Sequence, residues 1–589
     1  MKEHILSLLL LICINTAIAQ QPSVEPLTFN KAKTAHLDAG QIIRYALPLQ
    51  EGQFASVKVH QRSVGILYAV YAPGDSLLFA DDLNALYQTE VVNIAASKSG
   101  DYRIEIIWDY GRPQSGEFSI IWDRLEPIGK TSPLRAAQLM KSWYSPNEPG
   151  AAVAVVQHGK VIFKSTIGLA NMEYNIPITN QSAFDLASCS KQFTGFAIAM
   201  LLDKGVISLE DDIRKYLPEL PDFGKKITIE HLVYHTSGLR NWDAMSNSMG
   251  FKPEDVLTLD MIYRMICNTS ELNSTPNKRF NYNNTGYNLL ALIIEKATGQ
   301  SFNAWMSANI FMPLNMQHAV VRDNIKRIIP GKVSSYKQDK DGFVANTDSY
   351  SIMGSSSLYA SLDDLVAWVN NFDTGKAGGE KVLALLKRKT ILNSGDTLSF
   401  YAFGNGFGNR KGISNIEHLG LVSGFRTGIA RYPSQHLSII FLSNDNNDAG
   451  YNHAWTIGDL FLANAKKGKP KPLTLPELQQ SLAETKPDTA ERCPVDTKEY
   501  EGIYYADEIN SHYKLLSRQG VLTAVSYRAD EIQLKWKKAD NFSSNFQVFS
   551  RDFIFLRDEN KQVSAFKLTG GDKDIVFRKL AGKIDMAGK

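Results

Sequence analysis

Phe184-Asp185-Leu186-Ala187-Ser188-Cys189-Ser190-Lys191-Gln192-Phe193-Thr194 sets a serine three residues ahead of a lysine, where an apolar helical pattern begins. Positions i and i+3 of a helix share a face, with Cβ atoms about 5–6 Å apart, so Ser188 and Lys191 should meet. A lysine amine in a partly desolvated site loses basicity and can then accept a proton. A serine hydroxyl is a weak nucleophile until such a base removes its proton. Alone, Ser-x-x-Lys also describes many solvated helix faces. The pair needs a group that passes protons to a leaving group and from water, and donors for an oxyanion.

Two later stretches offer these parts. Tyr282-Asn283-Asn284 stands ahead of a helical pattern over residues 287–297 that ends at Gly299. Phenol titrates near pH 10, so a tyrosine base needs positive charge beside it, which Lys191 can supply. Asn284 is placed to orient Lys191 and to bond the substrate. Read alone, this stretch is a turn and helix cap with a buried tyrosine. His418-Leu419-Gly420 falls on a late strand and is followed by Gly424-Phe425-Arg426. A strand edge can present a backbone N–H to the oxyanion, and Gly420 would let a substrate approach closely. Read alone, it is a surface histidine beside a bulge.

With these stretches come residues 227–239 (Ile227 to Leu239, including His235-Thr236-Ser237-Gly238) and Pro313-Leu314-Asn315-Met316. In this order, the segment from about 132 to 463 resembles the serine β-lactamase and penicillin-binding-protein-like hydrolases. That family includes class C β-lactamases, D-amino-acid peptidases of peptidase family S12, and β-lactamase-like esterases. The resemblance implies that Ser188 is the acylated nucleophile, Lys191 its base or electrostatic partner, and Tyr282 the general acid and base. It makes Asn284 a positioning residue and the N–H groups of Ser188 and Leu421 the oxyanion hole, assisted by the helix N-terminus. His418 and Gly420 line the substrate, while His235 and Ser237 read as structural. Penicillin-recognising members carry Lys-Thr-Gly where this chain has His418-Leu419-Gly420. A histidine, largely neutral near pH 7, replaces the cation, and leucine replaces the hydroxyl. Arg426 is the residue that could restore a carboxylate contact.

The implied function is an exported serine hydrolase acting through an acyl-enzyme on a small peptide, amide or ester, D-aminopeptidase- or esterase-like, with cell-wall fragments among the candidates. The alternatives are a β-lactamase or DD-carboxypeptidase, and an inactive penicillin-binding-like binding protein. No cofactor or metal is expected: the eleven histidines form no His-Glu-x-x-His or similar cluster.

The expected fold is multidomain. A central α+β β-lactamase-like domain (129–464), an antiparallel sheet flanked by helices, stands between an all-β sandwich (20–128) and a small lipocalin-like all-β barrel (496–589). Short β-prone runs parted by Gly52 and Pro73-Gly74 mark the sandwich, and a basic, Pro-rich linker (465–495) precedes the barrel. Family resemblance allows a homo-oligomer through the barrel. Residues 1–19 read as an export signal: a short charged start, an apolar run from Leu8 to Ile14, and Ala17-Ile18-Ala19. An uncleaved anchor is the alternative. Cleavage leaves Cys189, Cys267 and Cys493, too few for a disulfide framework. The location is then periplasmic or secreted, with no transmembrane segment left. A formal charge of +3 over 589 residues gives no reason to expect nucleic acid.

Overall fold

The computed structural model describes residues 24–81, 84–108, 115–252, 254–346, 349–446, 450–463, 496–526, 531–546, 549–570 and 572–580. The export signal and the 465–495 linker lie outside the described residues.

One compact unit, described within residues 24–127, is a two-sheet sandwich. One sheet orders Val24–Pro26, Ile42–Leu49, Gly100–Trp108, Ile66–Ala72 and Ser76–Asp81; the other orders Lys33–Asp38, Ser115–Pro127, Gln53–Gln61 and Thr89–Ala95. Alternating residues such as Tyr45 and Leu47, Val57 and Val59, and Ile104 and Ile106 turn into one shared core.

The second unit is built on a seven-stranded antiparallel sheet. Its order is Lys160–Ile167, Ala151–Gln157, Leu437–Ser443, Phe425–Tyr432, Ile413–Val422, Asn405–Arg410 and Tyr401–Ala402. Strands from both ends of the segment therefore meet in the middle, with Ala151 opposite Ser443. Strand alternation gives the sheet two faces. Phe425 and Ile429 join the core around the Ser190–Asp203 helix. Ala430 and Tyr432 pack instead with Ala136 and Met140 of helix Ser132–Trp143 and with Ala454 and Ile457 of helix Gly450–Asp459. The helix that carries Lys191 is buried on every side from Ser190 to Leu201. A helix buried all round runs through the middle of a domain, so its position is fixed by packing in every direction. It stops where Gly205 turns left-handed at φ 65°.

Eight strands from Gly502–Ala506 to Asp572–Lys579 close a barrel within the same unit. Aromatic rings fill it: Tyr513, Phe553, Phe566 and Phe577 are buried and in mutual contact, with Phe566 and Phe577 stacked at 4.7 Å. Among the described residues no helix is long and apolar enough to cross a membrane.

Candidate active site

Ser188 lies in a tight turn, Ala187–Cys189, that leads into the Ser190–Asp203 helix. The turn is unusual: Ala187 takes φ 49°, a left-handed conformation that costs a non-glycine residue about 1–2 kcal/mol. Hydrogen bonds hold it there. Ala187 N–H donates to Asp185 Oδ1 at 2.7 Å, and Thr427 Oγ1 donates to the Leu186 carbonyl at 2.8 Å. The Cys189 thiol donates to the His418 carbonyl at 3.1 Å. The Ser188 turn is thus fastened to two neighbouring strands.

Ser188 and Lys191 meet as their spacing requires: Lys191 Nζ donates to Ser188 Oγ at 3.0 Å. The amine also donates to the Ser355 carbonyl at 2.9 Å and stands 4.9 Å from the Tyr282 ring centre. Burial brings the Lys191 amine down to about 7, with Asp243 and Cys189 pulling the other way. It can therefore be neutral, with a lone pair to offer, near physiological pH.

Tyr282 belongs to an aromatic cluster around His235, whose ring is 4.5 Å from Tyr282, 4.9 Å from Tyr287 and 4.7 Å from Tyr401. His235 Nδ1 accepts from Asn283 N–H at 3.0 Å. Burial, then the charges of Lys191 and His418, hold His235 well below its ordinary range. The ring is neutral, and its proton sits on Nε2.

His418 is buried, and burial, reinforced by Lys191, lowers it to about 3. Its Nδ1 is 2.6 Å from the Leu419 carbonyl, which can only accept, so Nδ1 carries the proton. Nε2 then accepts from the Tyr401 hydroxyl at 3.2 Å. His418 enters the site as a neutral group bonded to a phenol.

Four expectations change. Asn284, the first residue of helix Asn284–Thr298, takes an N–H bond to Asn241 Oδ1 at 2.9 Å and points its amide at Asp243, 3.4 Å away. Lys191 is oriented by the Ser355 carbonyl instead. That loop is pinned by Asn288, whose amide donates to the Ile352 and Met353 carbonyls and to Ser355 Oγ at 2.8–3.0 Å. Gly420 makes room for protein, not substrate: a Cβ there would lie 2.2 Å from Thr427 Oγ1 and 2.4 Å from the Leu186 carbonyl oxygen. Arg426 faces the opposite side of the sheet, beside Gly450, and its guanidinium bonds the Ser423 and Phe425 carbonyls and Asn446. Leu419 also lies on that far side, against Gly428. Strand alternation sends Arg426 away when Phe425 and Thr427 face the Ser188 turn, and sends Leu419 away when His418 and Gly420 do.

Strand pairing sets the direction of the Leu421 N–H. Val422 and Phe425 flank a two-residue turn at Ser423-Gly424 and form the hydrogen-bonded pair beside it. The next pair, Leu421 and Arg426, is then non-bonded, so Leu421 N–H points away from the Phe425–Tyr432 strand. On that other side, strand Asn405–Arg410 pairs only as far as Glu417.

Sequence reading missed Ser355 and Tyr401. The small-residue run Gly354-Ser355-Ser356-Ser357 was the available signal. Gly354, at φ 93°, lets the loop touch the helix of Tyr287, where a Cβ would lie 2.3 Å from the Tyr287 carbonyl oxygen. Among the described residues no group of three or more His, Cys, Asp or Glu side chains is arranged to hold a metal ion.

The family model described as Beta-lactamase matches residues 135–463. Penicillin-binding protein 4* of Bacillus subtilis (strain 168) is 29% identical over 332 residues, covering 51% of this chain and 69% of its own length. A D-aminopeptidase of Gluconobacter oxydans (strain 621H) is 28% identical over 296 residues, 50% of this chain but only 56% of the relative. Among solved structures, a penicillin binding protein from Bacillus halodurans is 21% identical, covers 55% of this chain and 99% of its own, and superposes with a TM-score of 0.49. With a match that spans more than half of the 589 residues, the chain belongs to the beta-lactamase family, a family of serine hydrolases.

Proposed function

We propose that this protein is an exported serine hydrolase that forms an acyl-enzyme on Ser188 from a small amide, peptide or ester. The observation that carries this reading is the 3.0 Å contact between Ser188 Oγ and a fully buried Lys191 amine whose affinity for protons is lowered to about 7. Neutral Lys191 takes the Ser188 proton as Oγ bonds to the substrate carbonyl carbon. The carbonyl oxygen becomes an oxyanion, which the N–H groups of Ser188 and Leu421 stabilise. Tyr282, beside the Lys191 charge, gives a proton to the departing amine or alcohol and then takes one from the water that releases the acid. His418 and Tyr401 line the side where the substrate sits. The D-aminopeptidase relative supports an amide with a D-residue as substrate.

Neither the neutral His418 nor Arg426, on the far face of the sheet, supplies a cation for a free carboxylate, which counts against a β-lactamase or DD-carboxypeptidase. Labelling tests both points. A fluorophosphonate should label the wild type and leave Ser188→Ala unlabelled, and D-aminoacyl amides or short esters should turn over faster than nitrocefin. Labelling by a fluorescent penicillin alone would favour the carboxylate-recognising alternative, and no labelling by either reagent would favour a binding protein.

A further inference from the structure

Arg431 is the buried charge that the site above does not use. It points to the nucleophile side of the sheet, as Thr427 and Ile429 do, but lies farther along the strand, under helix Leu362–Thr374. Only 7% of the residue is exposed. Its Nη2 donates to Asn405 Oδ1 at 3.1 Å, its guanidinium carbon lies 3.4 Å from the Phe372 ring centre, and its Nε finds no acceptor. Asn405 is held in that orientation because its own amide donates to the Phe403 carbonyl at 3.0 Å. The nearby carboxylate, Asp373, turns to His436 instead, 3.3 Å away. Among the described residues Arg431 forms no ion pair, although a buried guanidinium without a counter-charge is costly. Burial accordingly brings Arg431 down to about 9, with Asp373 acting against the shift.

Arg431 also lines a cavity. Val369, Phe372, Leu383, Leu386 and Phe407 give it apolar walls, Lys387 adds a second cation, and Asp373, bonded to His436, is also in the lining. The cavity holds about 60 Å³. At roughly 10–15 Å³ for each water-sized group, that admits a few heavy atoms beyond a carboxylate. Two cationic groups against one carboxylate that is already bonded to His436, with apolar side chains between, match a small organic acid, whose carboxylate would meet the guanidinium in charge-assisted bonds while its tail takes the apolar walls. A bare inorganic anion would leave the walls unused.

We propose that this cavity is a binding site for a short-chain monocarboxylate, of the size of propionate or butyrate, separate from the Ser188 site. The full-length chain is titrated with sodium butyrate by calorimetry and thermal melting. Butyrate should bind wild type and Ser188→Ala alike and raise both melting temperatures. Arg431→Met should weaken binding by at least about tenfold, the loss of a charge-assisted contact. Should Arg431→Met fail to fold, Leu383→Phe serves instead: from helix Gly379–Leu385 it fills the cavity and should exclude butyrate with Arg431 intact. The proposal is overturned if wild type shows no saturable butyrate binding at millimolar concentration, or if binding survives in Leu383→Phe. It is overturned equally if binding is lost in Ser188→Ala, or if inorganic phosphate competes as well as propionate. None of these outcomes bears on acylation of Ser188, so the two readings fail separately.

Discussion

Glu508, between the first two strands of the C-terminal barrel, forms an ion pair with Arg240 of the catalytic segment. Arg240 Nη2 donates to Glu508 Oε2 at 2.9 Å, and the side chains are 3% and 15% exposed. A second link runs from the Tyr513 hydroxyl to the Ser248 carbonyl at 3.1 Å. The next residues along from Arg240 hold the start of the Tyr282 segment's helix: Asn241 accepts from Asn284 N–H, and Trp242 N–H donates to Thr285 Oγ1, both at 2.9 Å. The barrel thus buttresses a wall of the active site. Glu508→Gln should cost about 1.5–3 kcal/mol in denaturant unfolding, the worth of a hydrogen bond to a charged group, and should slow acylation. Glu531→Gln, in the exposed Arg518 pair, should stay within about 0.5 kcal/mol with unchanged rate. Equal effects of the two variants would deny the barrel this role.

Lys191 sets a pH limb. Its folded-state value near 7 lies below its ordinary 10.5, so below about pH 7 the amine is charged and accepts no proton. Acylation by a p-nitrophenyl ester, followed under single-turnover conditions, should fall about tenfold per pH unit below that point. Between about pH 7 and 10.5 the unfolded chain holds a proton that the folded chain does not. Stability should therefore rise with pH across this window, by up to about 1.4 kcal/mol per unit. Lys191→Met should abolish the limb and flatten the stability profile.

Gly420→Ala tests whether that glycine serves packing. Its Cβ would strike Thr427 Oγ1 and the Leu186 carbonyl, both bonded to one another beneath the nucleophile turn. The variant should lose about 1–3 kcal/mol to overpacking, and acylation should slow for large and small substrates alike. A defect confined to bulky substrates would return Gly420 to the substrate pocket.

His418 predicts an acid-sensitive fold. Its folded value near 3 lies below the ordinary 6.5, so from about pH 6.5 down to 3 the unfolded chain takes a proton that the buried ring refuses. Stability should fall with acidification by about 1.4 kcal/mol per unit from this residue. His418→Asn should lessen that slope in pH-dependent melts, and an unchanged slope would count against the buried neutral ring.

How much of this was legible in the sequence depends on distance along the chain. The Ser188–Lys191 contact follows from helix geometry alone, and the stops at Gly205 and Gly299 follow from a left-handed conformation that glycine adopts freely. Roles assigned across the sheet fared less well. Arg426 and Leu419 are adjacent in sequence to residues that face the nucleophile, and the pleat turns them away. Ser355 was invisible because it acts through its backbone carbonyl, a group every residue carries.

By itself the sequence determined the family, the order of sandwich, α+β domain and barrel, and the spacing that brings Ser188 to Lys191, because these rest on local spacing and residue chemistry. Only the tertiary structure decided what each of them touches. Burial, set by packing from distant segments, lowers the affinity of Lys191 for protons, holds His418 and His235 neutral, and leaves Arg431, among the described residues, without an ion pair beside a cavity. A residue's ionisation depends on its surroundings in space, and those are assembled from the whole chain.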